Sequence, residues 1–263
     1  MRKLLTNGAG ALAVAAALLL ISACTNSAAN PNPPAATTAG TAAAPPAAAT
    51  PTSASEPEPG HTCPPTTAQI PAGAHQATTA DVDYDGRPDT LWLADVNGAR
   101  TLGVRTASGA TFSTTFTSSA PQAASALGQK LTGADAPSIV LLDTGRSVKL
   151  YTVADCAIVP TTNPQHAQYT FDLGFTGYGT GVECPSDNAG YTLAGLFAKP
   201  TATGGGDVVY RTPVTLSDYG RHASNGTRQT LASNVDPQST LAKHASSVTC
   251  GTNNTAVTEP QAG

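Results

Sequence analysis

The chain has 263 residues, with 13 basic against 17 acidic side chains and a formal net charge of −4. A mildly acidic chain without clustered Lys and Arg cannot neutralise a phosphate backbone, so nucleic acid is excluded as a partner. The 25 glycines and 21 prolines favour turns over long helices, and 5 cysteines raise the question of compartment at once.

Arg2 and Lys3 open the chain, and the run from Gly8 to Ala23 is uncharged and rich in Ala and Leu. That run is shorter than the roughly 18 residues of a membrane-spanning helix and reads as a secretory signal. Its end, Ile21-Ser22-Ala23-Cys24, resembles a bacterial lipobox, the tetrapeptide cut ahead of a cysteine that then carries lipid. The resemblance implies removal of residues 1–23, lipidation of Cys24, and anchorage to the outer face of a bacterial cell membrane. An ordinary secretory signal with a chance cysteine is the alternative. Losing Arg2 and Lys3 leaves 11 basic against 17 acidic residues, a net −6, and no polybasic segment for anionic lipid heads. Attachment then rests on the acyl chains of Cys24. One chain holds marginally, and lipoproteins of the kind this resembles carry two or three.

From Thr25 to Gly60 the chain is Ala, Pro, Thr and Ser without apolar periodicity. Such a composition cannot bury enough surface to offset its ordering entropy. Residues 24–60 are therefore expected to form a disordered tether, reaching on the order of 30 Å as a flexible coil. The folded domain is expected over residues 61–250, with a polar tail at 251–263.

With Cys24 set aside, Cys63, Cys156, Cys184 and Cys250 remain, an even number suited to two disulfides in an oxidising compartment. No Cys-x-x-Cys spacing supports zinc or redox chemistry. Of the three connectivities, pairing of sequence neighbours (Cys63 with Cys156, Cys184 with Cys250) is expected. The rival joins Cys63 to Cys250 and leaves the middle pair together.

The apolar segments of the domain are short. They run Thr90–Ala94, Thr101–Arg105, Ser138–Leu142, Val148–Val153, Tyr191–Leu196 and Asp207–Arg211. Between them stand Asn97-Gly98, Ser108-Gly109, Thr144-Gly145 and Asn225-Gly226, residues that tight hairpins require. No helical stripe of a dozen residues follows the signal. The fold class is all-β. Pro88–Leu93 and Pro137–Leu142 are similar strands 49 residues apart, each followed by a second hairpin, and a third copy is expected near Gly190 with Leu193–Leu196 as its first strand. About three units of roughly 50 residues with short antiparallel strands suggest a β-propeller-like arrangement. The alternative is that hairpins merely look alike.

One loop carries chemistry. Residues 81–89 read Asp-x-Asp-x-Asp-Gly-x-x-Asp, with Gly86 permitting a sharp turn after the third acid. Alternating carboxylates suit a hard cation that takes six to eight oxygens. Asp81, Asp83, Asp85 and Asp89 are the candidate side-chain ligands, the Arg87 carbonyl a backbone ligand, and Ca2+ the expected ion. The twelfth position is Trp92 rather than Glu and a strand follows, so this is not an EF-hand. Acid-rich loops also cap turns without metal.

The loop and following strand, residues 78–93, resemble the FG-GAP/VCBS repeat family, whose propeller blades carry calcium loops between strands. That resemblance implies the same four aspartates as ligands. The later copies depart from the pattern: Asp135 stands alone before Pro137, and Asp187 alone before Gly190. A single metal site is expected.

The five histidines (His61, His75, His166, His222 and His244) lack ligand spacing, and no serine-nucleophile motif is present. Gly204-Gly205-Gly206 lacks the Lys of a phosphate loop and reads as a turn. Aromatic residues are scattered, which argues against a stacking platform. The favoured reading is a non-enzymatic, lipid-anchored protein that presents a calcium-stabilised β-repeat domain to an envelope protein or glycan. The alternative is an envelope hydrolase or carbohydrate-active enzyme, for which Glu183 and Asp187 are the candidate acid pair. A third is an accessory part of an envelope complex with no ligand of its own.

Overall fold

The computed structural model describes residues 62–133, 135, 137–202, 204–251 and 255–260. The signal segment, the lipidation site Cys24 and the tether lie outside the described residues. The domain is built of antiparallel β-sheets, and among the described residues no helix is long and apolar enough to cross a membrane.

The first sheet is a meander of β1 (His75–Thr79), β2 (Asp89–Val96), β3 (Ala99–Arg105) and β4 (Thr111–Thr115). Asn97 and Gly98, at φ 55° and 83°, make the two-residue turn from β2 to β3, where positive φ matches the twist of the strands. The Asp95 carboxylate accepts the Gly98 N–H at 2.6 Å and fixes that turn. Trp92 faces Gly103 across β2 and β3. A β-carbon on Gly103 would lie 1.9 Å from the indole, so glycine is what lets the ring lie flat there.

The second sheet runs β5 (Ser125–Lys130), β6 (Ser138–Asp143), β7 (Ser147–Ala154) and β8 (Ala157–Pro160), again as a meander. A further strand, β9 (Thr170–Asp172), pairs with Ser147–Lys149 of β7. The β7–β8 turn is made by Asp155 and Cys156, both at positive φ.

The third sheet begins with β10 (Gly181–Glu183), and a small separate hairpin of β11 (Ser186–Asp187) and β12 (Gly190–Tyr191) follows. Its path continues through β13 (Leu193–Pro200), β14 (Asp207–Ser217) and β15 (His222–Asn225), and β16 (Gln229–Val235) pairs the other half of β14. Asn225-Gly226 thus links two strands that share one neighbour rather than forming a simple hairpin. The five-residue helix α1 (Thr240–His244) is capped by Ser239, whose hydroxyl accepts from the Ala242 N–H. It packs over Leu196 and Val209.

The three sheets are layered. Side chains alternate faces along a strand, so Val140 and Leu142 of β6 join Leu91, Leu93, Leu102 and Val104 in one core. Ile139 and Leu141 of the same strand join Val182, Leu193 and Val214 in a second core. Burial on both faces explains why β6 reads as an uninterrupted apolar run and not as an alternation. Each of these buried aliphatic side chains stabilises by up to roughly 1.5–3 kcal/mol.

Thr90–Leu93 and Ile139–Leu142 both lie in the second strand of a four-stranded meander. Leu193–Leu196 also lies in a second strand, because β10 pairs ahead of it, rather than opening its sheet as expected from sequence.

Both disulfides join sequence neighbours: Cys63 with Cys156 and Cys184 with Cys250, at Cα separations of 5.6 and 4.4 Å. The residues after Cys250 do more than trail into solvent. A last strand, β17 (Val257–Thr258), pairs with β5, and Val257 belongs to the first core. Glu259, buried, is ion-paired with Arg100 of β3 and accepts the Ala124 N–H at 2.8 Å. One apolar residue followed by one acid is too short a signal to read as a strand.

Candidate metal centre

The acidic loop connects β1 to β2. Tyr84 and Gly86 adopt φ of 64° and 84°, which folds the segment back so that Asp81, Asp83 and Asp89 converge. One carboxylate oxygen from each lies within 4.8 Å of the other two. Asp83 and Asp89 are buried. Backbone amides hold the cluster in shape. Asp81 accepts from the N–H groups of Asp85 and Gly86 at 3.1 and 3.0 Å, and Asp89 from those of Val82 and Ala107 at 2.7 and 2.9 Å. Asp83 accepts from the Cys63 N–H at 3.1 Å, beside the first disulfide, and from the Ser108 hydroxyl at 3.4 Å.

Among the described residues no Lys, Arg or His is ion-paired with these three carboxylates. The Lys130 ammonium lies over the Tyr84 ring, 3.9 Å from its centroid. At an effective dielectric near 20, two carboxylates at this range repel by roughly 3–4 kcal/mol. Asp89 registers the strain: burial above all, then the charges of Asp83 and Asp81, push its carboxyl up to about 6 against the pull of its two amide donors. A proton or a cation relieves that repulsion. Three converging carboxylates could hold a metal ion.

The structure places the Asp85 carboxylate differently. Asp85 turns to Arg87, accepting from its guanidinium at 2.8 Å and from its backbone N–H at 2.8 Å. The Arg87 guanidinium holds the Asp85 carboxyl below its ordinary range. In the later copies, Asp187 accepts the N–H groups of Ala189 and Gly190 and so caps the β11–β12 turn. Among the described residues a single group of acids converges in this way.

Sequence reasoning missed the supports. Cys63 is 20 positions from Asp83, and Ala107 is 18 from Asp89. Ala107 reaches Asp89 because Thr90 pairs with Arg105, which sets the β3–β4 turn beside the start of β2, and Cys63 is held at that turn by the Ser108 hydroxyl, which donates to its carbonyl at 2.7 Å. Ser108-Gly109 was legible as a turn, whereas its neighbour depended on strand register. The acid pair proposed for hydrolysis is engaged elsewhere. Glu183 is ion-paired with Arg211 and lies 2.9 Å from the His244 imidazole, while Asp187 caps its turn.

Comparison with known proteins returns no matching family model, no matching curated protein and no matching solved structure.

Proposed function

We propose that this chain is an exported, lipid-anchored binding protein whose layered β domain is steadied by one calcium ion and presented to an envelope partner. The observation that carries the reading is the convergence of Asp81, Asp83 and Asp89 with no basic side chain ion-paired to them among the described residues. Calcium is the ion of choice because the donors are all hard oxygens held on a loop, with room for backbone carbonyls and water to complete six to eight ligands. Asp85, swung from Arg87, and the Arg87 carbonyl are the further ligands in this reading. Its oxygens already hold backbone amides, so the ion would lock a pre-shaped loop between β1 and β2 rather than build one.

Two further features support the reading. Thr90–Leu93, Ile139–Leu142 and Leu193–Leu196 each lie in the second strand, in chain order, of their sheet and follow an acid-bearing segment, which fits degenerate blades of a propeller-like repeat related to FG-GAP/VCBS units. The lipobox-like Ile21–Cys24 and the two disulfides fit an extracytoplasmic address. The role proposed is binding, with calcium structural. An ion at a hundred times its Kd adds about 2.7 kcal/mol of stability.

A thermal melt of the oxidised protein in calcium and in chelator, beside Asp83→Ala, tests this. A rise in melting temperature with calcium, absent in the variant, is expected. Superimposable melts of the wild-type protein would reduce the loop to an acidic turn.

A further inference from the structure

A cleft of about 900 Å³ opens between the second and third sheets, lined by β9 and the loop after it on one side and by β13 and β14 on the other. That size lies within the range of small-ligand sites. Its rim is aromatic, although aromatic residues are scattered in the sequence. Phe175 and Tyr178 are 62% and 76% exposed, and with Leu231 they are the large exposed apolar side chains among the described residues. They are not loose. The Asp172 carboxylate accepts the backbone N–H groups of Phe175, Thr176, Tyr178 and Gly179 at 3.0–3.4 Å. Burial alone would raise that carboxyl, but the Thr176 hydroxyl and these amides outweigh it and hold it at about 2. The loop is thus ordered by its amides while its rings stay in solvent, an arrangement that costs hydration free energy and favours a partner that stacks on them.

The polar lining is dominated by donors. Arg146 lies over Phe175 at 5.3 Å, and Arg228 lies over Phe197 and Tyr210 at 5.5 and 5.6 Å. Neither guanidinium has a carboxylate partner among the described residues. The Tyr169 hydroxyl donates to Asn225 Oδ1 at 2.5 Å, leaving that amide's NH2 as a donor. Asp172 is the one carboxylate among the lining residues, and both its oxygens are taken by the loop. A second acid for glycoside hydrolysis is therefore missing from the cleft. An occupant must bring acceptors and negative charge around a face that can stack. A sugar ring bearing a carboxylate has that chemistry.

We propose that this cleft binds an acidic oligosaccharide, its rings on Phe175, Tyr178 and Phe197 and its carboxylates at Arg146 and Arg228. The proposal rests on the envelope-binding reading above for its choice of a glycan partner, and on the cleft alone for its residues.

Isothermal titration of the full oxidised chain in calcium tests it. The probes are a tetrasaccharide of alternating glucuronate and N-acetylglucosamine, and chitotetraose as its neutral counterpart. The acidic sugar is expected to bind at least about tenfold more tightly, and less tightly as salt is raised. Tyr178→Ala, whose ring is in solvent, should leave the melt unchanged and weaken binding about tenfold. Arg228→Gln should remove the preference for the acidic sugar. Equal affinity for both sugars, no binding of either at millimolar concentration, or wild-type binding by both variants would overturn the proposal. Calcium stabilisation measured on the same samples reports on the acidic loop alone, so failure at one site is separable from failure at the other.

Discussion

The charge cluster at Asp89 makes the pH dependence of stability change sign with metal. Its folded carboxyl titrates at about 6, against an ordinary 3.8 in the unfolded chain. Between those values the metal-free folded protein binds more protons than the unfolded chain, so its stability falls as pH rises from 3.8 to 6. The destabilisation is complete above 6. Two pKa units correspond to about 3 kcal/mol, and solvent screening reduces the expected change to about 1–2 kcal/mol. With saturating calcium the folded form is deprotonated at this site and the trend reverses: protons displace the ion, and stability falls as pH drops below about 6. Urea unfolding at pH 7 and pH 4.5, in chelator and in calcium, measures both slopes. Other carboxyls titrate in the same window, so the diagnostic quantity is the difference between wild type and Asp89→Asn. That difference should show the 1–2 kcal/mol component in chelator and the opposite slope in calcium. Parallel pH profiles for the two proteins in both media would refute the electrostatic account of the loop.

Other consequences are local. Gly103→Ala forces a methyl to 1.9 Å from the Trp92 ring and should destabilise by about 2–3 kcal/mol in urea unfolding. Glu259→Gln leaves Arg100 half-buried without its counter-charge and should cost about 2–4 kcal/mol, with loosening of β17 visible as faster amide exchange at Val257. Replacing both Cys63 and Cys156 by Ser should lower stability by about 2–4 kcal/mol. It should also weaken calcium binding, because the Cys63 N–H that orients Asp83 loses its covalent anchor; isothermal titration reads the second effect separately.

Much of the architecture is local in origin and so was legible. Asn97-Gly98 and Thr144-Gly145 announce tight turns, and Ser138–Leu142 carries enough branched apolar residues to be a strand on its own. The cysteine pairing followed sequence neighbours. The acidic loop was legible because its carboxylates lie within nine residues. What was hidden depends on register and layering. Nothing near Asp83 announces that Cys63 and Ser108 will support it, since the β2–β3 pairing brings Ser108 there and Ser108 in turn holds the Cys63 carbonyl. The spacing of acids could not distinguish Asp85, whose carboxylate an adjacent Arg87 captures, from its three neighbours. Glu183 was a candidate acid for hydrolysis in sequence but is buried against Arg211 and His244. The aromatic cleft was invisible for the same reason: Phe175 and Tyr178 come from the loop after β9 of the second sheet and Phe197 from β13 of the third, and only the packing of the two sheets brings them together.

Calcium titration calorimetry on the chelator-stripped protein asks whether the loop between β1 and β2 holds one calcium ion, as proposed. Binding of one ion per chain, lost in Asp83→Ala and retained in Tyr178→Ala, is the predicted result. No binding heat in the wild-type protein, together with a melting temperature indifferent to calcium, would contradict it.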